Sequence, residues 1–312
     1  MKILLTGGAG FIGSNIADAY ASAGHEVFVI DNLSSGKKEN VPAAARFVLC
    51  DIGSDTAAEA IRTFRPEVVN HHAAQINVRA SVADPKFDAE VNILGTIRLL
   101  EACRRNGVRK FLFASSGGAG YGEQEVSPAD ETHPTRPVSP YGAAKIAVEL
   151  YLYFYRAQYG LDYTALRYSN VYGPRQDPHG EAGVVAIFCE RLLRGQTAIV
   201  NGDGEQTRDY VYVEDVVRAN ITALERGGGR SLNIGTGIET SVNTMFRTIR
   251  DLAGSAQEEI HGPSLPGEQQ RSCLENRLAL EELEWYPRVS LEEGLARTLS
   301  FFREKIRTSG TW

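Results

Sequence analysis

Cysteine, methionine and tryptophan are scarce in this 312-residue chain, at four, two and two copies. The four cysteines, Cys50, Cys103, Cys189 and Cys273, are widely scattered, form no CxxC pair and stand in no Cys/His cluster. That spacing argues against a disulfide framework and against a metal site. Free thiols of a reducing compartment are the simplest account. Long basic runs are missing too: none exceeds Lys37-Lys38 or Arg104-Arg105, and the formal net charge is −6. Nucleic acid as main partner needs a basic face to neutralise phosphates, so that class is set aside. No apolar run approaches the roughly 20 residues of a membrane span. The chain enters a strand pattern at once, Lys2-Ile3-Leu4-Leu5, without a signal-peptide profile, and the expected location is the cytoplasm.

What is present is an alternation of strand-like and helix-like segments. Ile3–Thr6, Glu26–Ile30, Phe47–Cys50, Val68–His71, Lys110–Ala114 and Tyr163–Tyr168 read as strands. Phe11–Ala23, Asp55–Phe64, Phe87–Asn106 and Tyr141–Gln158 read as helices, the third with Val91, Leu94, Ile97 and Leu99 at near-helical spacing. Such alternation predicts an α/β fold, a Rossmann-type doubly wound parallel sheet with helices on both faces. The second half is more mixed and richer in loops, which predicts a smaller, mixed α/β C-terminal substrate domain. The expected division is 1–170 with part of 203–237 for the sheet domain, and 171–202 with 238–312 for the smaller one.

Two motifs carry chemistry. Thr6-Gly7-Gly8-Ala9-Gly10-Phe11-Ile12-Gly13 follows the first strand and opens the first helix. In that place Gly7 permits a tight turn, Gly10 lets backbone approach a pyrophosphate, and Gly13 lets helix and strand pack closely. The helix N-terminus then offers N–H groups to the phosphates. Asp31 ends the second strand, where a carboxylate accepts from adenosine ribose hydroxyls and repels a 2′-phosphate, favouring NAD over NADP; the plainer alternative is a turn capped with Asn32. Lys37 and Lys38 follow closely and offer charge to a phosphate. Asp51 ends the third strand, within reach of an adenine edge or as a cap for the next segment. The paired His71 and His72 have no further ligand nearby, and packing explains them better than a metal does. The second motif is Tyr141-x-x-x-Lys145. Tyr141 is the only one of 13 tyrosines with lysine four residues on. Helical spacing puts both on one face. A fixed cation there lowers the phenol from its usual pKa near ~10 and yields a general base for an alcohol. The fifth strand runs out in Ser115-Ser116-Gly117-Gly118, whose hydroxyls face the same sheet end as Tyr141.

Taken together, these segments resemble the extended short-chain dehydrogenase/reductase family over nearly the whole chain, and within it the UDP-glucose 4-epimerase type. Arg167-Tyr168-Ser169-Asn170-Val171-Tyr172-Gly173-Pro174-Arg175-Gln176, Gly202–Val213, Ser116-Gly117-Gly118 and the Asp177–Ala186 loop carry the likeness. The resemblance implies Tyr141, Lys145 and Ser116 as catalytic residues. It implies bound NAD held by Gly7, Gly10, Phe11, Ile12, Gly13, Asp31, Asn32, Asp51, Ile52, Ala73, Ala74, Gln75, Asn92, Ser115, Tyr141, Lys145 and Tyr168. It implies a UDP-sugar held by Ser116, Gly117, Tyr141, Asn170, Val184, Val185 and Arg208, with Arg208 as the diphosphate clamp. The expected chemistry is reversible oxidation at sugar C4: Tyr141 takes the 4-hydroxyl proton, hydride passes to NAD, and the 4-keto sugar turns its other face before reduction.

Local departures refine this expectation. Sugar-nucleotide dehydratases of the family carry Asp-Glu where this chain has Gly117-Gly118, so the acids that dehydration needs are missing. Leu265 stands where the family often has a diphosphate-binding Arg, and Arg271 is the candidate substitute. Gly120 stands where a larger apolar residue is common, which is expected to loosen the wall near the sugar. The alternatives are an epimerase of UDP-glucuronate or a UDP-N-acetylhexosamine, a nucleotide-keto-sugar reductase, or a non-catalytic NAD-binding regulator. The family pairs through two long helices, here Phe87–Asn106 and Tyr141–Gln158, so a homodimer is expected. The Tyr151–Tyr155 run, apolar around much of its helix, reads as buried on several sides.

Overall fold

The computed structural model of the protein describes residues 1–178, 183–264 and 269–308. Leu265, and residues 179–182 of the Asp177–Ala186 loop, lie outside the described residues.

Six strands of the first half are β1 (Lys2–Thr6), β2 (Glu26–Asp31), β3 (Arg46–Leu49), β4 (Val68–His71), β5 (Lys110–Ser116) and β6 (Asp162–Tyr168). With Arg230–Ile234 they form one parallel seven-stranded sheet, ordered Arg230–Ile234, β6, β5, β4, β1, β2, β3. Ile3, Leu4 and Leu5 are wholly buried, as a strand covered on both faces requires. One face packs Ile3, Leu5, Ile16, Tyr20 and Leu166; the other packs Leu4, Phe64, Leu100, Phe111 and Tyr163. The strand order reverses between β1 and β4. In such sheets that switch point opens a crevice at the carboxyl ends of the strands.

A second core gathers Tyr172, Phe188, Met245, Phe246, Leu295 and Phe302. Its sheet is built on Thr207–Tyr212, which pairs antiparallel with Glu239–Ser241 and parallel with both Asn170–Tyr172 and Arg271–Ser272. Helix Val213–Ala223 then returns to pack on helix Phe11–Ser22 beneath the main sheet.

Two elements differ from the sequence reading. β5 continues to Ser116 because it stays in register with β6, Ser116 opposite Tyr168. The long helix expected over Phe87–Asn106 is three pieces, Pro85–Ala89, a π-type turn over Glu90–Gly95, and Thr96–Arg105. The wide turn brings Gly95 against Ile52, where a Cβ would meet the Ile52 Cδ1 at 3.0 Å. It also swings the buried Asn92 inward onto Gln75, and insertions of this kind recur beside functional sites.

Candidate active site

The glycine loop sits at the switch point. Gly7 has φ +71°, and a Cβ there would stand 2.5 Å from the Ala73 nitrogen of the chain leaving β4. A Cβ at Gly13 would stand 2.2 Å from the Gly7 carbonyl, whereas one at Gly10 would meet only that carbonyl, at 3.3 Å. The loop is therefore tight against protein at Gly7 and Gly13 and open at Gly10. Helix Phe11–Ser22 begins with no side-chain cap and no acid in its first turn. Its first N–H groups and its dipole thus face this opening, as an anionic diphosphate needs.

Around the loop the predicted residues take defined places. The Asp31 carboxylate is 7% exposed and accepts from the Ala9 and Leu33 N–H groups at 2.9 and 2.8 Å, one on each oxygen. It thus closes the turn and keeps a lone pair on each oxygen for ribose hydroxyls. Asn32 donates to Asp51 at 3.3 Å, and Asp51 accepts from the Gly53 N–H, so both shape the turn ahead of the buried Ile52. Lys37 N–H donates to the Ala9 carbonyl, and the Lys38 ammonium lies over the Phe47 ring. Ala73 and Gln75 are fixed from both sides: Thr6 Oγ1 accepts from the Ala73 N–H, and Asn92 bonds both the N–H and the carbonyl of Gln75 at 2.9 Å. Ala74, between them, is half-buried.

The histidine pair belongs to this scaffold. Thr96 donates its hydroxyl to the Asn92 carbonyl and Thr6 accepts from Ala73, so each hydroxyl has one role left for the His71 ring. His71 therefore accepts from Thr6 at Nδ1, at 2.6 Å, and donates to Thr96 from Nε2, at 2.9 Å. Burial, with the nearby Lys145 charge, holds it far below the ordinary histidine range. His72 bonds the Tyr168 hydroxyl at 3.0 Å, stacks on that ring, and is pushed down to about 3 by burial and by Lys145. Tyr168 in turn accepts from Asn220, so its hydroxyl is part of a buried network.

Helix Pro140–Tyr159 carries the Tyr-Lys pair. Ser139 caps it by accepting from the Gly142 N–H, and Pro140 takes the first position, where a missing N–H costs nothing. Lys145 is 4% exposed, donates to the Ala114 carbonyl of β5 at 2.8 Å, and lies 4.7 Å above the Phe113 ring. It stands 5.6 Å from the Tyr141 ring centre, on the face the spacing predicted. The expected effect on the phenol is different, however. The ammonium makes no hydrogen bond to the hydroxyl, and burial plus the Asp88 charge push the Tyr141 phenol up, not down. Burial presses Lys145 down to about 8, opposed by Asp88 and Glu149.

Ser116 caps the short helix Gly117–Tyr121 through its Oγ, which accepts from Ala119 at 3.3 Å, so the stretch is ordered by its serine. Ser115 turns the other way and donates to Glu149 at 2.5 Å. A Cβ at Gly117 would meet Leu274 at 2.6 Å, and one at Gly118 would meet Ser272 Oγ at 3.0 Å. Side chains at these two positions would press on Leu274 and Ser272, and the acids themselves are absent. Gly120 does not loosen a wall: a Cβ there would strike Ile146 at 2.9 Å, because the two helices touch at this glycine.

On the smaller unit, Asn170 lies opposite Tyr210, and Arg208 opposite both Thr240 and Ser272. Arg208 donates to the Thr207 carbonyl at 2.8 Å. Val184 and Val185 open helix Val184–Leu193; Val185 is buried in the second core, so only its backbone faces the helix end. Arg271, the candidate substitute for a diphosphate-binding Arg or a plain surface charge, is 61% exposed. It forks onto Glu239 at 3.1 and 2.6 Å, and that arginine, first among several donors, holds Glu239 down near about 2.

Sequence reasoning missed what stands behind the pair. Glu149 and Arg167 form a buried, two-pronged ion pair at 2.7–3.1 Å, with Ser115 and Ser231 also donating to the carboxylate. Arg167 reaches on to the Tyr121 hydroxyl, and Tyr121 to Asn233. Glu149 lies one helical turn beyond Lys145, a spacing that marks a shared face. Asp88 sits one turn before Asn92 and was equally legible.

A glycine cradle at the switch point of a parallel sheet, flanked by a Tyr-Lys helix, defines a dinucleotide-dependent α/β enzyme. The profile of the NAD dependent epimerase/dehydratase family matches residues 3–235, and the chain belongs to that family. It is 50% identical to a UDP-glucose 4-epimerase of Mycolicibacterium smegmatis, over 98% of this chain and 99% of that one. Among solved structures it is similar to a Thermotoga maritima UDP-glucose 4-epimerase with UDP-glucose, at 51% identity and a TM-score of 0.96, over 98% and 100% of the two chains. It is also similar to a Thermus thermophilus UDP-glucose 4-epimerase in complex with NAD, at 47% identity and a TM-score of 0.93, over 97% and 99%.

Proposed function

We propose that this protein inverts C4 of a UDP-hexose, interconverting UDP-glucose and UDP-galactose through a 4-keto sugar. The cradle fits NAD: Gly10 is open, the helix beyond it is uncapped, and Asp31 keeps acceptor capacity. When bound, NAD supplies a hydride acceptor that is also a positive charge, which favours the Tyr141 phenolate over the phenol. Tyr141 takes the proton from the sugar 4-hydroxyl and returns it after inversion. Ser116, whose Oγ accepts from Ala119, retains its proton to donate to the sugar oxygen. Lys145, fixed by Ala114, keeps a cation beside the phenol. Arg208 and Asn170 hold the diphosphate end and so let the sugar turn.

The observation that carries this reading is the Tyr141–Lys145 pair on a helix packed against the short helix that opens with Gly117-Gly118, where no acid stands. One proton-transfer group and no acid at Gly117 or Gly118 suit reversible oxidation at one carbon, not dehydration. Tyr141→Phe is expected to lose about 10²–10⁴-fold in turnover, with fold and bound NAD unchanged. Near-normal epimerisation of UDP-galactose by that variant would sink the reading.

The protein works as a homodimer in the cytoplasm. No described helix is long and apolar enough to cross a membrane, and the four cysteines are free. The Tyr151–Tyr155 run is not buried on several sides within one chain. Leu152 and Tyr155 face the sheet, while Leu150 is 68% and Tyr153 66% exposed, with Phe87 and Leu94 about half exposed on the neighbouring segments. Large apolar side chains left open on both helices support pairing there. Light scattering is expected to report a dimer, and Leu150→Asp with Tyr153→Asp a monomer; an unchanged mass in that variant would place the pairing elsewhere.

A further inference from the structure

Two buried charges in the site lack a direct opposite partner. Lys145 is 4% exposed, and its hydrogen bond goes to a neutral carbonyl, that of Ala114. Asp88 is 1% exposed. Its Oδ1 accepts from Gln75 Nε2 and Asn92 Nδ2, each at 2.9 Å, while its Oδ2 is buried with no hydrogen-bond partner. An isolated charge taken out of water is costly unless another charge compensates it. The other buried cations are committed elsewhere, Arg167 to Glu149 and Lys110 to Asp162 and the Arg226 carbonyl. Helix Pro85–Ala89, which carries Asp88, packs directly on helix Pro140–Tyr159, which carries Lys145 and Tyr141. The Tyr141 N–H is itself tied to Ser81 of the preceding turn at 3.3 Å.

We propose that Asp88 is a positioning residue for the Tyr141–Lys145 pair: its carboxylate is the buried counter-charge that keeps Lys145 an ammonium and sets the pH window in which Tyr141 takes and returns a proton. The same carboxylate holds Gln75 and Asn92, so it links the loop over the cofactor cradle to the proton-transfer pair.

Among the described residues, the charges that act on Lys145 are those of Asp88 and Glu149. From its own helix come Tyr141 and Glu149, and Glu149 is shared with Arg167. From the end of β4 come His71 and His72, both neutral and internally bonded. β5 offers only the Phe113 ring and the Ala114 carbonyl. Among the described residues, Asp88 remains as the anion not paired with another cation. Burial lifts its own carboxyl above the usual range, and the bonds from Gln75 and Asn92, with the Lys145 charge, pull it back. Its charge in turn acts to raise both Lys145 and Tyr141.

Asp88→Asn tests this, because the amide keeps an oxygen for Gln75 and Asn92 while removing the charge. The role of Asp88 rests on the epimerase reading in its kinetic arm only. In kcat/KM against pH, both limbs are expected to move to lower pH, by about one unit, the lower end of what a nearby charge does. The second arm needs no substrate: phenolate absorbance of Tyr141, referenced to Tyr141→Phe, is expected to develop at lower pH in Asp88→Asn than in the parent. A variant that melts earlier but shows unmoved limbs and an unmoved phenolate titration overturns the proposal. If Asp88→Asn does not fold, NMR titration of the Asp88 carboxyl carbon decides. Replacing Lys145 by Met must then raise the Asp88 midpoint, and an unchanged midpoint overturns the proposal. A parent protein inactive on every UDP-sugar would refute the epimerase reading while the phenolate arm still tested Asp88.

Discussion

Arg167→Met isolates the buried ion pair behind Lys145. Glu149 is 7% exposed and Arg167 8%. The guanidinium donates to the carboxylate at 3.1, 3.1 and 2.7 Å and to the Tyr121 hydroxyl at 2.8 Å. Methionine fills much of the volume but strands a buried carboxylate. Breaking one side of such a pair costs about 3–5 kcal/mol. Two hydroxyl donors remain, Ser115 at 2.5 Å and Ser231 at 2.7 Å, so the lower end, about 3 kcal/mol, is expected. The partner variant Glu149→Leu/Arg167→Met removes both charges and is expected to be more stable than Arg167→Met alone, because no charge is left unpaired. Urea unfolding of the parent and the two variants under one set of conditions makes the comparison. A cost below about 1 kcal/mol for Arg167→Met, or a double variant no more stable than the single one, would show that the pair is hydrated or loosely held and refute the reasoning.

Gly7→Ala is expected to lose more than about 1–2 kcal/mol, since φ is +71° and the new methyl would meet the Ala73 nitrogen at 2.5 Å. Purified Gly7→Ala should also carry little NAD, and full stability with full cofactor content would contradict the cradle. The kcat/KM of the parent is expected to fall on the alkaline side with an apparent pKa of about 8, as Lys145 gives up its proton. The sign follows from burial: the folded-state value lies below that of an exposed lysine, so the ammonium is lost earlier than in water. A profile flat to well above that range would show that the Lys145 charge is not needed.

Much of the architecture was legible because it rests on local patterns. Burial on both faces makes parallel strands continuously apolar, and Ile3-Leu4-Leu5 and Val68-Val69 show it directly. The Gly7, Gly10 and Gly13 spacing and Tyr141-x-x-x-Lys145 were readable because each depends on neighbours within a turn or two. The long helix over Phe87–Asn106 was misread because side-chain periodicity does not register a π-type turn, and Leu94 faces outward. Asp88, Glu149 and Leu274 escaped notice for another reason. Helical spacing puts Glu149 on the Lys145 face and Asp88 on the Asn92 face, but their charge partners and Gly117's neighbour Leu274 lie on other elements, so the spacing does not say what they meet.

The chain by itself determined the sheet, the tight glycine turn after β1, the shared helix face of Tyr141 and Lys145 and the missing acids at Gly117 and Gly118. Those follow from backbone freedom and helical or strand spacing, which are properties of short segments. Tertiary structure alone decided that burial and Asp88 raise the Tyr141 phenol, that Arg271 is tied to Glu239, and that Gly120 is a packing contact. Charge, burial and clearance depend on which distant elements meet, and a linear pattern carries no record of the dielectric or the space that meeting creates.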